Sequence, residues 1–162
     1  MKNLKTTSAI MFIALLIVGC SKDDSSNTND DSSNSADQVQ EIAQNGTWRI
    51  SYFFDTDEDE TSNFNGYSFT FGEDGVVTAI NGNSTVTGDW SVQDDNGNSS
   101  TDDDGNSTDD DDFIIFFPVP ESNDFEDLND DWDIISVTAN KIELTDVSGG
   151  NGGTDFLTFT KQ

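Results

Sequence analysis

Apolar and polar residues alternate with a period of two over much of the chain after residue 46. The first such segment places Trp48, Ile50, Tyr52 and Phe54 on one face and Phe53 on the other. This alternation is typical of a β-strand that buries one of its faces. Eight strand-like segments follow one another along the chain: 47–54, 67–71, 76–80, 85–92, 113–117, 132–139, 142–147 and 156–160. The pattern therefore predicts an all-β domain.

The connections between these segments are mostly of hairpin length. Residues 72–75 and the pair Asn81 and Gly82 supply side chains that favour tight turns. Pro118 and Pro120 end the fifth segment, because proline has no backbone N–H to donate to a neighbouring strand. Eight short strands with tight turns predict an up-and-down barrel or a sandwich.

A short helix is predicted before the first strand. Ser35 and Gln38 have the spacing of a capping box, and the apolar residues that follow recur at helical intervals. We expect about two turns of helix that end near Asn45 and Gly46. The folded domain is therefore expected to span residues 36–162.

The first twenty residues have the pattern of a secretory signal. Lys2 and Lys5 precede an apolar run from Ala9 to Val18, which is too short to span a bilayer of about 30 Å as a helix. The run Leu16-Ile17-Val18-Gly19-Cys20 resembles the lipobox of bacterial lipoproteins. The resemblance implies cleavage after residue 19, attachment of acyl chains such as palmitate to Cys20, and anchoring in a membrane.

Residues 20–35 are expected to form an anchored and disordered tether. After Ser21 and Lys22 they contain only Asp, Ser, Asn and Thr, so they offer no apolar side chain to bury. The Lys22-Asp23-Asp24 step is similar to an export signal that sends some lipoproteins to the outer cell surface. We therefore expect a lipid-anchored, surface-exposed protein of the outer membrane.

The folded segment carries a second resemblance. Gly46-Thr47-Trp48 is similar to the Gly-x-Trp entry of lipocalins, in which the Trp closes one end of the barrel beneath a short helix. Further landmarks look like strands of the lipocalin-like domains of bacterial surface lipoproteins: 71–76, 88–90, 128–134, 142–144 and 157–159. The resemblance implies an eight-stranded up-and-down barrel with a short N-terminal helix. Lys161 is the residue available where lipocalins often place an Arg over the Trp.

Composition narrows the functional classes. The 162 residues include 33 acids, 6 bases, one Cys and no His, for a formal charge of −27. Removal of residues 1–19 takes away two Lys and no acid, so the mature chain would carry 33 acids and 4 bases, a charge of −29. This charge argues against nucleic acid as a partner, and the lack of His argues against His-centred catalysis and His-ligated metals. The acids lie mainly in polar turns, so we expect no enzymatic activity, and a monomer by default.

The aromatic residues of the strands have two interpretations. They could fill the interior of a small barrel as core, or some of them could line an apolar pocket for a small hydrophobic ligand. A pocket at the cell surface is the first functional hypothesis. Its candidate residues are Trp48, Tyr52, Tyr67, Phe69, Phe71, Trp90 and Phe117.

A carbohydrate-binding or assembly module with a filled barrel is the alternative from another class. Exposed aromatic rings together with Asp and Asn side chains would then recognise sugars. The candidates are Phe53, which is expected on the face opposite Trp48, and the cluster Asp131, Trp132 and Asp133. Rings around a deep opening would favour the apolar ligand, whereas rings on an exterior face would favour a glycan.

The Asp-rich loop 94–112 raises the question of calcium, because carboxylate oxygens suit a hard cation. Alignment of Gly105 with the glycine of an EF-hand loop places Asp102, Asp104 and Asp111 at ligand positions. Ser100 then stands where the first carboxylate is needed, and no helix is expected on either side. We therefore expect loose accumulation of divalent ions around the acidic chain rather than a formed site, and no cofactor.

Overall fold

The structure is a computed structural model, and it describes residues 35–93, 111–147 and 153–162. Within these ranges, one α-helix, α1 (Ala36–Gln44), precedes the strands. The backbone N–H of Ser35 donates to Gln38 Oε1 at 3.3 Å, as expected for the predicted capping box. The predicted helix is confirmed. Among the described residues, no helix has both the length and the apolar content needed to cross a bilayer.

The described strands follow α1 in the order that the hydrophobic pattern predicts. Two short 3-10 turns, Thr61–Phe64 and Glu126–Leu128, lie in the connections between strands. The strands are β1 (Trp48–Asp55), β2 (Glu58–Asp59), β3 (Ser68–Phe71), β4 (Val76–Asn81), β5 (Ser84–Gln93), β6 (Asp112–Phe116), β7 (Asp130–Thr138), β8 (Lys141–Val147) and β9 (Thr154–Lys161).

The strands form one antiparallel sheet that closes on itself. From β3 to β9 each strand pairs with the next along the chain, β1 pairs with β3, and β1 also pairs with β9. The two-residue strand β2 pairs only with the end of β1 and lies outside the ring of eight. The predicted eight-stranded up-and-down barrel with a short N-terminal helix is therefore confirmed, and β2 is an addition that the sequence pattern did not reveal.

A β-bulge in β1 changes which side chains enter the barrel. The pairing of β1 with β9 shifts register between Ile50 and Tyr52. Beyond the shift, Phe53 is fully buried, whereas Tyr52 is 41% exposed. The predicted placement of Tyr52 on the face of Trp48, and of Phe53 on the opposite face, is wrong. One extra residue in a strand inverts the facing of every later side chain, and a period-two pattern does not detect it.

Two features close the end of the barrel next to α1. The helix packs against β3, β5 and β7, three strands that are not neighbours in the sheet, so it must lie across the barrel end. The indole N–H of Trp48 donates to the carbonyl oxygen of Ala43 at 2.8 Å and joins the first strand to the helix. Trp48 therefore lies at the end of the barrel that α1 covers.

Lys161 completes this closure. Its Nζ lies 5.6 Å from the centroid of the Trp48 ring, within the range of a cation–π contact. A Cβ at Gly46 would lie 2.6 Å from Lys161 Cε, and Gly46 has φ +119. The positive φ favours glycine at this position, and a larger residue would also displace the end of the Lys161 side chain from Trp48.

Candidate functional site

The predicted pocket residues divide into an interior group and one exterior residue. Trp48, Phe69, Phe71, Trp90 and Phe117 are all buried in the barrel. Tyr67 is half-buried and packs against this core, and Tyr52 faces outward because of the bulge in β1. Six of the seven candidates therefore share one interior, and the seventh belongs to a different surface.

Aromatic rings contact one another continuously through this interior. Neighbouring rings have centroid separations between 4.9 and 6.4 Å, and most of the pairs are edge to face, which is a favourable geometry for aromatic side chains. We call this set the ring network. Its members are Phe53, Phe64, Tyr67, Phe69, Phe71, Trp90, Phe113, Phe117, Phe125, Trp132 and Phe159.

The connections between strands contribute the rings that pack at the end opposite α1. In an up-and-down barrel, the β1–β3 and β6–β7 connections lie at the same end, and here each contains a 3-10 turn. Phe64, at the end of the first turn, lies 5.4 Å from Phe125, which immediately precedes the second. Phe125 in turn lies 4.9 Å from Phe117 and 5.0 Å from Tyr67. Sequence reasoning missed Phe64 and Phe125, since an isolated Phe in a polar loop has no periodic neighbours.

The polar groups of the interior Trp side chains are bonded to backbone. Besides Trp48, the indole N–H of Trp90 donates to the Gly72 carbonyl at 3.0 Å, and that of Trp132 donates to the Leu128 carbonyl at 3.2 Å. Within the described ranges, no polar or charged residue is buried. Small-molecule pockets normally place a few polar groups to orient the ligand, so this interior has the composition of a core.

The residues proposed for an exposed glycan platform are in the interior. Trp132 is 1% exposed, and its ring lies 6.3 Å from that of Phe53 in the ring network. Of the two flanking acids, Asp131 is exposed and Asp133 is half-buried. The prediction that Phe53 and Trp132 present their rings to solvent is wrong, because the bulge turns Phe53 inward and the strand β7 buries Trp132.

A different group of aromatic residues lies on the outside of the barrel. Tyr52 and Phe54 follow the bulge on the outer face of β1, with ring planes 14° apart and centroids 6.4 Å apart. Phe54 is opposite Phe156 on β9, and Phe156 is 36% exposed. We call Tyr52, Phe54 and Phe156 the outer aromatic patch. It lies towards the end of β1 that is remote from α1.

One half-buried carboxyl group has a pKa far from its usual range. Burial raises the pKa of Asp130, at the start of β7, to about 7, and the nearby carboxylates of Asp146 and Asp131 add to the shift. Burial also raises the pKa of Glu60 and that of Asp127, with help from surrounding acids. These shifts follow from crowding of like charges at partly buried positions.

Of the three candidate calcium ligands, only Asp111 is among the described residues. Asp102 and Asp104 lie outside them, and Asp111 is half-buried just before β6. In the part of the chain that the structure describes, no group of three or more acidic, His or Cys side chains is arranged to hold a metal ion. Elsewhere, the Thr61 hydroxyl and the Thr61 backbone N–H, which donates to Asp59 Oδ1 at 3.0 Å, lower the pKa of Asp59. Cys20 and the tether also lie outside the described residues.

The chain is similar to at least one protein of known structure. No protein-family model matches this chain, and no curated protein matches it. The crystal structure of a DUF4847 family protein from Bacteroides vulgatus is similar, with 20% identity and a TM-score of 0.45 over 76% of this chain and 97% of that chain. A likeness of this degree leaves function to be inferred from this chain's own residues.

Proposed function

We propose that the protein is a non-enzymatic lipoprotein, anchored to the outer membrane through Cys20 and displayed at the cell surface, whose filled barrel supports a binding or assembly surface. The lipobox-like run ending at Cys20 and the Lys22-Asp23-Asp24 step support the anchor and its display. The filled interior of the barrel favours a scaffold over a carrier of an apolar ligand.

The ring network is the observation that carries this proposal. A carrier of an apolar ligand needs interior volume that the protein does not itself fill. Here the rings of six strands and two connections contact one another, and the Trp N–H groups are used by the backbone. The interior rings therefore act as a stabilising core. Any binding would take place on the outer surface of the barrel.

The net charge of the mature chain limits which partners can bind to the outer surface of the barrel. A mature charge of −29 repels anionic polymers and anionic lipid surfaces, and this repulsion acts before any contact forms. Neutral or cationic partners are not opposed in this way. The proposed binding surface is therefore expected to act on neutral or cationic extracellular material.

Fluorescence titration tests whether the barrel is filled. The three Trp side chains are buried in the barrel, so a ligand entering the interior would alter their emission. We expect no saturable change on titration of the chain from residue 20, carrying Cys20→Ser, with fatty acids, haem or carotenoid pigments. A saturable change with one-to-one stoichiometry would overturn the filled-scaffold proposal in favour of a hydrophobic-ligand carrier.

Cell fractionation tests the anchor and its display. Cys20→Ser is expected to move the protein from the membrane to the soluble fraction, because the thiol that would carry the acyl chain is gone. Replacement of Lys22, Asp23 and Asp24 by Ala is expected to keep the protein in the membrane but protect it from protease added to intact cells. Replacement of Ser25, Ser26 and Asn27 by Ala is the matched control and should change neither property. Membrane retention of Cys20→Ser would refute the lipid anchor.

A further inference from the structure

We infer that the outer aromatic patch, Tyr52, Phe54 and Phe156, is a binding site for a neutral polysaccharide. This inference rests on the proposed function, since it places binding on the outside of a filled barrel. It names the surface and the chemical class of ligand that the scaffold would present.

The arrangement of the rings suits a sugar. Tyr52 and Phe54 are two residues apart on one strand, so their rings lie side by side with nearly parallel planes. Phe156 is directly opposite Phe54 on β9, and Thr158 is opposite Tyr52. Pyranose rings present C–H groups on their faces, which contact electron-rich aromatic faces, and hydroxyls on their edges, which can bond to the hydroxyls of Tyr52 and Thr158.

The apolar area of the patch is small for a stable protein interface. An aromatic side chain has roughly 150–250 Å² of surface, so the exposed fractions of Tyr52 and Phe156 leave roughly 55–100 Å² each. With half-buried Phe54, the patch offers roughly 200 Å², whereas a stable protein complex buries about 800 Å² on each partner. A patch of this area matches one or two sugar rings, and the charge of −29 further opposes a second copy of the chain.

The charges around the patch select a neutral ligand. The patch itself contains no carboxylate and no cationic side chain, and Glu143, which lies opposite Thr158 on β8, is paired with Lys141 at 2.8 Å. The Lys141 ammonium and the Ser136 hydroxyl hold the pKa of Glu143 below its usual range. Asp55 and Asp155 adjoin the patch along their strands and would repel an anionic glycan.

The edge of the patch is held in place by its own hydrogen bonds. Asp155 Oδ1 accepts from the Thr56 backbone N–H at 2.6 Å, and the Thr145 hydroxyl donates to the Asp155 carbonyl at 2.9 Å. These bonds join the end of β1 to β9 and β9 to β8. The three rings therefore sit on a fixed surface, so binding a sugar would cost little conformational entropy.

Affinity electrophoresis under native conditions tests the inference. The chain from residue 20 with Cys20→Ser migrates rapidly because of its charge, and a neutral polymer in the gel slows it only by binding. We expect retardation by at least one of soluble glucan, mannan, xylan and galactan, and none by alginate or pectin. Tyr52→Ala and Phe156→Ala are each expected to weaken the interaction roughly tenfold, from the contact area that each ring would bury.

Matched variants separate the site from general effects. Phe116→Ala removes a Phe that is 50% exposed on β6, away from the patch, and should leave retardation unchanged. Tyr52→Phe keeps the ring and should retain most of the binding. The inference is overturned if no neutral polysaccharide retards the protein, if anionic ones do so, if Tyr52→Ala binds like the parent, or if the patch instead mediates a dimer that Tyr52→Ala dissociates. Each of these results is independent of the fluorescence titration, which tests the filled barrel itself.

Discussion

Removal of the Phe125 ring is the most direct test that the barrel is filled. Phe125 is 4% exposed and contacts the rings of Phe64, Tyr67, Phe69 and Phe117, at separations of 4.9 to 6.1 Å. The ring buries about 200 Å² of apolar surface, which is worth about 25 cal/mol per Å², and the Ala methyl retains a small part of this. We therefore expect Phe125→Ala to lower the free energy of unfolding by about 3–5 kcal/mol.

The assay is urea unfolding followed by Trp fluorescence, together with thermal unfolding. For a domain of this size, such a loss corresponds to a Tm lower by roughly 10–20 °C. Phe116→Ala is the matched control, because half of its ring is exposed, and by the same conversion it should lower the free energy of unfolding by only about 1–2 kcal/mol.

A second readout uses the cavity that the variant would create. A void lined by the neighbouring rings should bind benzene, so added benzene should raise the Tm of Phe125→Ala and leave that of the parent unchanged. A loss below about 1 kcal/mol in Phe125→Ala would mean that the ring projects into open space. That result would refute the reasoning and restore the carrier hypothesis.

Three further predictions concern other parts of the domain. Lys161→Met keeps the apolar stem against Gly46 but removes the charge over Trp48. We expect urea unfolding to show a free energy of unfolding lower by about 0.5–1 kcal/mol. No loss would show that the cation–π contact is not stabilising. Because the pKa of Asp130 is raised from 3.8 to about 7, the folded state holds a proton that the unfolded chain releases, so this group makes stability fall as pH rises from about 4 to 7. The Tm of Asp130→Asn should fall less over that range and exceed that of the parent at pH 8, and an unchanged profile would contradict this assignment. Calorimetry should detect calcium binding that weakens steeply with added salt, as diffuse association does, whereas salt-resistant binding would indicate a formed site involving Asp102, Asp104 or Asp111.

Much of the fold can be predicted from short segments of the sequence. Alternation of apolar residues, or a short apolar run as in 113–117, marks each of the eight barrel strands, and Ser35 with Gln38 marks the start of α1. Gly46 and Trp48 mark the entry into β1, where Lys161 lies over the Trp48 ring. These signals depend on backbone conformation and side-chain period over a few residues, which is why they can be recognised without the tertiary structure.

The facing of β1 was decided only by the tertiary structure. The register shift between Ile50 and Tyr52 depends on how β1 pairs with β9, and the two strands are about a hundred residues apart in the chain. That single irregularity moves Phe53 into the core and brings Tyr52 into the outer aromatic patch. The sequence pattern alone therefore assigned Tyr52 and Phe53 to the wrong faces of β1.

The filling of the barrel was likewise a property of the whole fold. Phe64 and Phe125 lie in polar connections with no periodic context, and they become buried because both connections return to the same end of the closed sheet. The sequence by itself determined the strands, the helix and the acidic, His-free chemistry of the chain. Only the closed barrel decided which rings are core and which face solvent, because burial depends on contacts between distant segments.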